Sequence, residues 1–221
     1  MSLAIFDLDN TLLAGDSDYL WGKYLCEHGI VDACEYESIN QRFYDDYKAG
    51  SLDILAFLEF SLAPLTRFSE TELASMHQDY MRKMITPLIS DKALALVNRH
   101  RDQGDVLMII TATNRFITGP IAQAFGIEHL LATEPEKING RYTGHVIDIP
   151  CFQDGKVKRL NQWLDANHMD LHDSWFYSDS HNDLPLLQKV SHPVAVNPDD
   201  ILQRIAKEKN WPIIQLHHDN R

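Results

Sequence analysis

The chain has 221 residues, 44% of them hydrophobic and 24% charged, with a formal net charge of −12. That length holds one large domain, or a core with a modest insertion. The acidic balance argues against nucleic acid or an anionic membrane as partner, since both demand basic patches. A small phosphate is not excluded, because a metal and one or two cations can meet its charge locally. The three cysteines, Cys26, Cys34 and Cys151, form no CxxC pair, which fits reduced thiols better than a disulfide framework. No run approaches 18 apolar residues and no basic segment precedes the first apolar run. A cytoplasmic protein without transmembrane helix or signal peptide is therefore expected.

In chain order, Leu3–Phe6 has the length and apolarity of a buried strand, and it stops abruptly at Asp7-Leu8-Asp9-Asn10-Thr11. From Asp16 to about Ile85 the periodicity is helical. Asp16 or Asp18 opens a first helix, Cys34–Tyr47 forms a second, and Gly50 breaks the pattern. Ser51 is expected to cap a third helix with Leu52, Leu55, Leu58 and Leu62 on one face. Ser69 with Glu72 three residues on reads as the capping box of a fourth. This stretch predicts a separate small bundle, with Trp21, Tyr24, Phe43, Tyr44, Tyr47, Phe57 and Phe60 mostly in its core.

After Pro87 the pattern alternates between helix and strand. A helix from Ser90 or Asp91 precedes a strand at Val106–Ile110, which ends in Thr111-Ala112-Thr113-Asn114. A helix follows from Arg115 to Phe125, then a hairpin around Asn139-Gly140. Gly155 opens a helix from Lys156 to Asn167, and Ser174–Ser178 is a short strand running into Asp179-Ser180-His181-Asn182-Asp183. A strand at Pro193–Val196, a helix from Asp199 and an edge strand at Ile213–Leu216 complete the chain. His217 and His218 are expected in a loose tail.

Three apolar strands thus end in polar residues, and in a parallel sheet these ends open onto one edge. Asp7 and Asp9, two apart, can face one volume, where their repulsion calls for a hard cation such as magnesium. Thr111, Lys156, Asp179 and Asp183 join them there. Two acidic clusters, a hydroxyl and an ammonium make a phosphoryl-transfer set: a carboxylate to attack phosphorus, another for acid/base work, and cations to offset charge.

Taken in order, Asp7-x-Asp9-x-Thr11, Thr111, Lys156 and Asp179–Asp183 resemble the four motifs of the haloacid dehalogenase superfamily of phosphohydrolases, over essentially the whole chain. The helical stretch directly after the first motif is similar to the cap of its phosphoserine-phosphatase-like branch. The resemblance implies a doubly wound, Rossmann-like α/β core (1–13 and 86–221) with an inserted α-helical cap (14–85). It implies Asp7 as nucleophile and Asp9 as general acid/base. Asp7, the Asp9 carbonyl and Asp179 would be the Mg2+ ligands, Thr111, Ala112 and Lys156 the phosphate binders, and Asn182 and Asp183 their support. Lys158 competes with Lys156 for the third motif, and Ser178 stands where the family usually has Gly.

The activity implied is a magnesium-dependent phosphatase for small phosphate monoesters. A phosphotransferase sharing the aspartyl-phosphate, or an idle binding protein of the same fold, are the alternatives. Asp16, nine residues after Asp7, matches an acidic residue of that branch that meets a substrate ammonium, as in phosphoserine or histidinol phosphate. Arg42 or Lys48 would be needed to meet a serine carboxylate.

Overall fold

The structure, a computed structural model, describes residues 2–217. Seven strands form one sheet in the order β4-β3-β2-β1-β5-β6-β7. They are β1 (Leu3–Phe6), β2 (Val106–Asn114), β3 (His129–Ile138), β4 (Arg141–Ile147), β5 (Trp175–Ser178), β6 (His192–Val196) and β7 (Ile213–Ile214). Every pairing is parallel except the β3–β4 hairpin. The central strand β1 is fully buried, and its alternate side chains enter different cores, as the two-residue period requires. Ala4 and Phe6 pack with helices α5 (Asp91–Asp102) and α6 (Arg115–Ala124). Leu3 and Ile5 pack with α7 (Asp154–Asn167), α8 (Leu184–Leu187) and α9 (Asp200–Glu208). Each such large apolar side chain contributes roughly 1.5–3 kcal/mol on burial. The result is the doubly wound α/β fold expected from the sequence.

The chain leaves this core at Leu13 and returns at Ile89, where the two crossing segments form an isolated antiparallel bridge. Between them lie helices α1 (Ser17–Glu27), α2 (Ala33–Ala49), α3 (Ile54–Leu62) and α4 (Glu70–Tyr80). The Ser69–Glu72 capping box is present at the start of α4. The third helix differs from expectation. Asp53, not Ser51, caps α3 by accepting from the Leu55 and Ala56 amides. That shift turns Leu55 outward, 61% exposed, while Leu58 and Leu62 are buried. A bifurcated carboxylate cap outcompeted a serine two residues earlier.

The helical layer is anchored on the core through α6. Trp21 meets Phe116 edge to face at 5.2 Å, and His77 bonds the Ile117 carbonyl at 3.0 Å. His217 is not loose. The Asn197 side chain accepts from the Leu216 and His217 amides, and His217 Nε2 lies 2.6 Å from the Thr11 carbonyl. These contacts depend on Asn197, twenty residues away, which local pattern could not register. His218 lies outside the described residues. No helix among them is long and apolar enough to cross a membrane.

Candidate active site

Register places the strand ends together. Phe6 pairs with Ile109 on one side and Tyr177 on the other, so Asp7, the Ile110–Thr111 segment and Ser178–Asp179 share one edge. Asp7 directly follows β1, and the turn after it is closed by Asn10, whose φ of 58° is left-handed, a conformation Asn tolerates. β2 runs four residues beyond the expected Ile110, so Thr111 lies inside a strand. The ladder with β3 shifts register between Ile110 and Asn114.

The Lys156 ammonium lies 2.7 Å from Asp7 Oδ1 and 2.8 Å from Asp183. Lys158, two residues on, is exposed, so of the two lysines Lys156 is the one beside Asp7. Gly155 permits the approach of α7, because a Cβ there would sit 2.0 Å from the Pro150 carbonyl oxygen. The Thr11 hydroxyl lies 3.2 Å from both Asp7 Oδ2 and Asp179 Oδ1, so those carboxylates converge on one point. Asp9 turns the other way: Oδ1 accepts from the Ser17 amide at 2.7 Å and Oδ2 from the Thr113 hydroxyl at 2.8 Å.

Burial and crowding dominate the electrostatics. Burial raises Asp7 to about 7, with Lys156 opposing and Asp183 adding to the rise. Burial followed by Asp16 raises Asp9 to about 6. Asp179 is pushed well above the carboxylate range by burial, then by Asp7 and Asp183. Burial disfavours the charge on Lys156, but Asp183 and Asp7 outweigh it and raise its pKa. One cation therefore faces several acids. Among the described residues, no three His, Cys, Asp or Glu side chains are grouped to hold a metal by themselves. Two converging carboxylates with excess negative charge nevertheless fit Mg2+, which keeps several waters and takes only one or two protein carboxylates beside a phosphate.

Above these groups a cavity runs between the sheet edge and helices α1–α3. Its lining includes Asp7, Asp9, Thr111, Ala112, Lys156, Asn182 and Asp183, together with Asp16 and Asp18. Tyr44, Tyr47 and Phe57 line it as well, which corrects the expectation that they are bundle core, whereas Phe43 is buried against Phe57 and Phe60 and only edges the lining. A helical stripe marks which side chains are covered, but not whether protein or cavity covers them.

A model of the haloacid dehalogenase-like hydrolases matches residues 4–188. The chain belongs to that family. A histidinol-phosphatase from Neisseria meningitidis serogroup C (strain 8013) is 50% identical over 219 residues, which cover 97% of this chain and 99% of the relative. The crystal structure of a protein of unknown function from Bordetella pertussis Tohama I is 44% identical with a TM-score of 0.92, covering 98% of this chain and 99% of the other. A substrate-bound phosphoserine phosphatase complex shares the fold, with a TM-score of 0.71 at 16% identity and coverage of 99% and 94%. The chain is accordingly a haloacid dehalogenase phosphatase, a phosphoric monoester hydrolase as its motifs imply.

Within this hydrolase the remaining candidates separate. Asp16 both caps α1, accepting from the Tyr19 amide at 2.9 Å, and lines the cavity. Arg42 is exposed on α2 with its guanidinium 5.4 Å from the Phe43 ring centre, and it is absent from the lining. Lys48 is drawn to Tyr44 and Asp45 instead. Neither cation faces the site, because both sit on the outer side of α2.

Of three supporting groups, Thr113 was not singled out by sequence, Ser178 was noted only as a departure from glycine, and Asn182 was expected as support. Thr113 holds Asp9. Ser178 donates to Asp183 Oδ2 at 2.7 Å, a bond that a glycine there could not make. Asn182 donates to the Tyr47 carbonyl at 3.1 Å and accepts from Gln153, tying α2 to the fourth motif.

Proposed function

We propose that this phosphatase hydrolyses a small, amine-bearing phosphate monoester, histidinol phosphate, through an aspartyl-phosphate on Asp7, with Mg2+ and with α1–α4 as a cap over the site. The observation that carries the substrate reading is the cavity wall. It presents Asp16, Asp18 and aromatic rings. Its one cationic side chain among the described residues is Lys156, already bonded to Asp7 and Asp183. Such a wall attracts an ammonium and a flat ring, and offers no free cation to the carboxylate of phosphoserine. The histidinol-phosphatase relative supports the same reading.

Asp7 attacks phosphorus as the ester P–O bond breaks, and Asp9 gives its proton to the departing alcohol oxygen. Asp9 then takes a proton from the water that cleaves the acyl phosphate, releasing inorganic phosphate. A pKa raised to about 6 suits both transfers, and the Ser17 and Thr113 bonds hold the carboxyl in place. Lys156 and the Thr111 hydroxyl hold phosphoryl oxygens. Mg2+, held by Asp7, Asp179 and the Asp9 carbonyl, would offset charge on the transferring group.

The metal has a consequence for stability. Asp7 and Asp9, raised to about 7 and about 6, disfavour ionisation in the folded state. Their contribution is complete below the unfolded value near 3.8 and is lost as pH rises through 6 to 7. In chelator, the melting temperature should fall by about 4–8 °C between pH 5 and pH 8, for at least about 2 kcal/mol. Mg2+ should restore most of that loss at pH 8 and add little at pH 5. Calorimetry showing equal stabilisation at both pH values would contradict the metal assignment.

The substrate reading is tested by kcat/KM on histidinol phosphate, phosphoserine and glucose 6-phosphate, in wild type and Asp16→Asn. Histidinol phosphate should lead. Asp16→Asn should lower it by about 30-fold or more, as for truncation of a desolvated ion pair worth roughly 2–5 kcal/mol. Glucose 6-phosphate outrunning both amines in wild type would end the reading.

A further inference from the structure

Asp18 has no assigned task. It lies in the first turn of α1, where an acid is ordinarily a solvated favourable charge against the helix dipole. Here it is only 9% exposed, and its Oδ2 is buried without a hydrogen-bond partner. The capping of α1 is already performed by Asp16. A helix-start acid gains nothing from such burial, since an unpaired polar group away from water is destabilising.

The surroundings of Asp18 define what would pair with it. It lines the same cavity as Asp16, one that the rings of Tyr19, Phe43 and Phe57 also line. Among the described residues no cation of the chain reaches it, since Lys156, the one cationic side chain in the lining, is held by Asp7 and Asp183. A hydrogen-bond donor that arrives with the substrate, on a flat body that rests against aromatic rings, satisfies both features. Burial, then Asp16 and Asp9, raise the Asp18 carboxyl well above the usual range, so it can offer O–H as well as accept N–H.

We propose that Asp18 is a second nitrogen-binding group, and that the enzyme selects a phosphate monoester with two nitrogen centres, an alkylammonium met by Asp16 and a ring N–H met by Asp18. This deepens the histidinol-phosphate reading and rests on it. It makes the imidazole a recognised feature rather than a tolerated one. A site built to bond a substrate N–H rejects an analogue lacking it far more strongly than a merely apolar pocket does.

The experiment compares kcat/KM for histidinol phosphate and O-phosphoethanolamine, which keeps the ammonium and lacks the ring, with glucose 6-phosphate as the uncharged control. Wild type should prefer histidinol phosphate over O-phosphoethanolamine by about 100-fold or more. Asp18→Ala, which removes both donor and acceptor, should reduce that ratio by about 20-fold, mainly through KM for histidinol phosphate, whereas Asp16→Asn should weaken both amines by similar factors. Asp18→Ser, whose shorter side chain withdraws both carboxyl oxygens, gives the same comparison if the Ala variant does not fold. A wild-type ratio below about 10 overturns the proposal without any variant. An undiminished ratio in the Asp18 variants overturns it too, while leaving histidinol phosphate as substrate. Glucose 6-phosphate outrunning both amines overturns the reading beneath it.

Discussion

Asp7→Asn lowers kcat by at least about three decades, or about 4 kcal/mol of transition-state stabilisation. The substitution keeps the shape of the side chain and removes the attacking charge. Asp7 has one oxygen on Lys156 at 2.7 Å and the other 3.2 Å from Thr11, so the amide must also surrender a charge-assisted bond. Substrate KM should move far less than kcat, because the lost interaction belongs to the reaction rather than to docking. Steady-state kinetics on histidinol phosphate checks this. A variant retaining more than about a tenth of wild-type kcat would exclude Asp7 as nucleophile.

Asp9→Asn and Asp179→Ala should fail differently. The Asp9 side chain is turned to Ser17 and Thr113, leaving only its backbone carbonyl for metal. Asp9→Asn should therefore lower kcat by about 100-fold or more, in the range of a lost general acid/base, with the magnesium requirement little changed. Asp179 instead shares the Thr11 hydroxyl with Asp7. Asp179→Ala should raise the half-saturating magnesium concentration by about tenfold or more, with activity partly recovered at high metal. Magnesium titration of turnover separates the two. Exchange of the two behaviours would reverse the role assignment.

Strand ends were the legible part of this chain. Apolar runs that stop at Asp7 and at Asp179 carry their own boundaries, whereas β2 continues through Thr111 to Asn114, and parallel pairing brings all three to one edge. The duplicated winding of the fold was legible for the same reason, from alternation of short apolar runs with capped helices. Contacts across the chain were not. Thr113 reaches Asp9 over 104 positions, and Asn182 reaches Tyr47 over 135, with no local pattern to announce either. Ser178 was noticed only as a departure from glycine, whereas its hydroxyl holds Asp183.

The helical insertion was legible as helices and illegible as a surface. Tyr47 and Phe57 follow a core-like stripe, yet they face a cavity, and Arg42, next to the buried Phe43, faces solvent. Periodicity gives a helix its covered side without saying what covers it. Asp16 and Asp18 show the same limit. Two acids at a helix start read alike in sequence, while one is the cap and the other is buried and unpaired.

The central claim is a covalent phosphoryl group on Asp7, and rapid acid quench during turnover of histidinol phosphate, followed by peptide mass spectrometry, tests it most directly. The account predicts phosphate on the peptide carrying Asp7, dependent on magnesium and absent from Asp7→Asn. Phosphate on a serine, threonine or histidine, or turnover by Asp7→Asn with no covalent species, would contradict it.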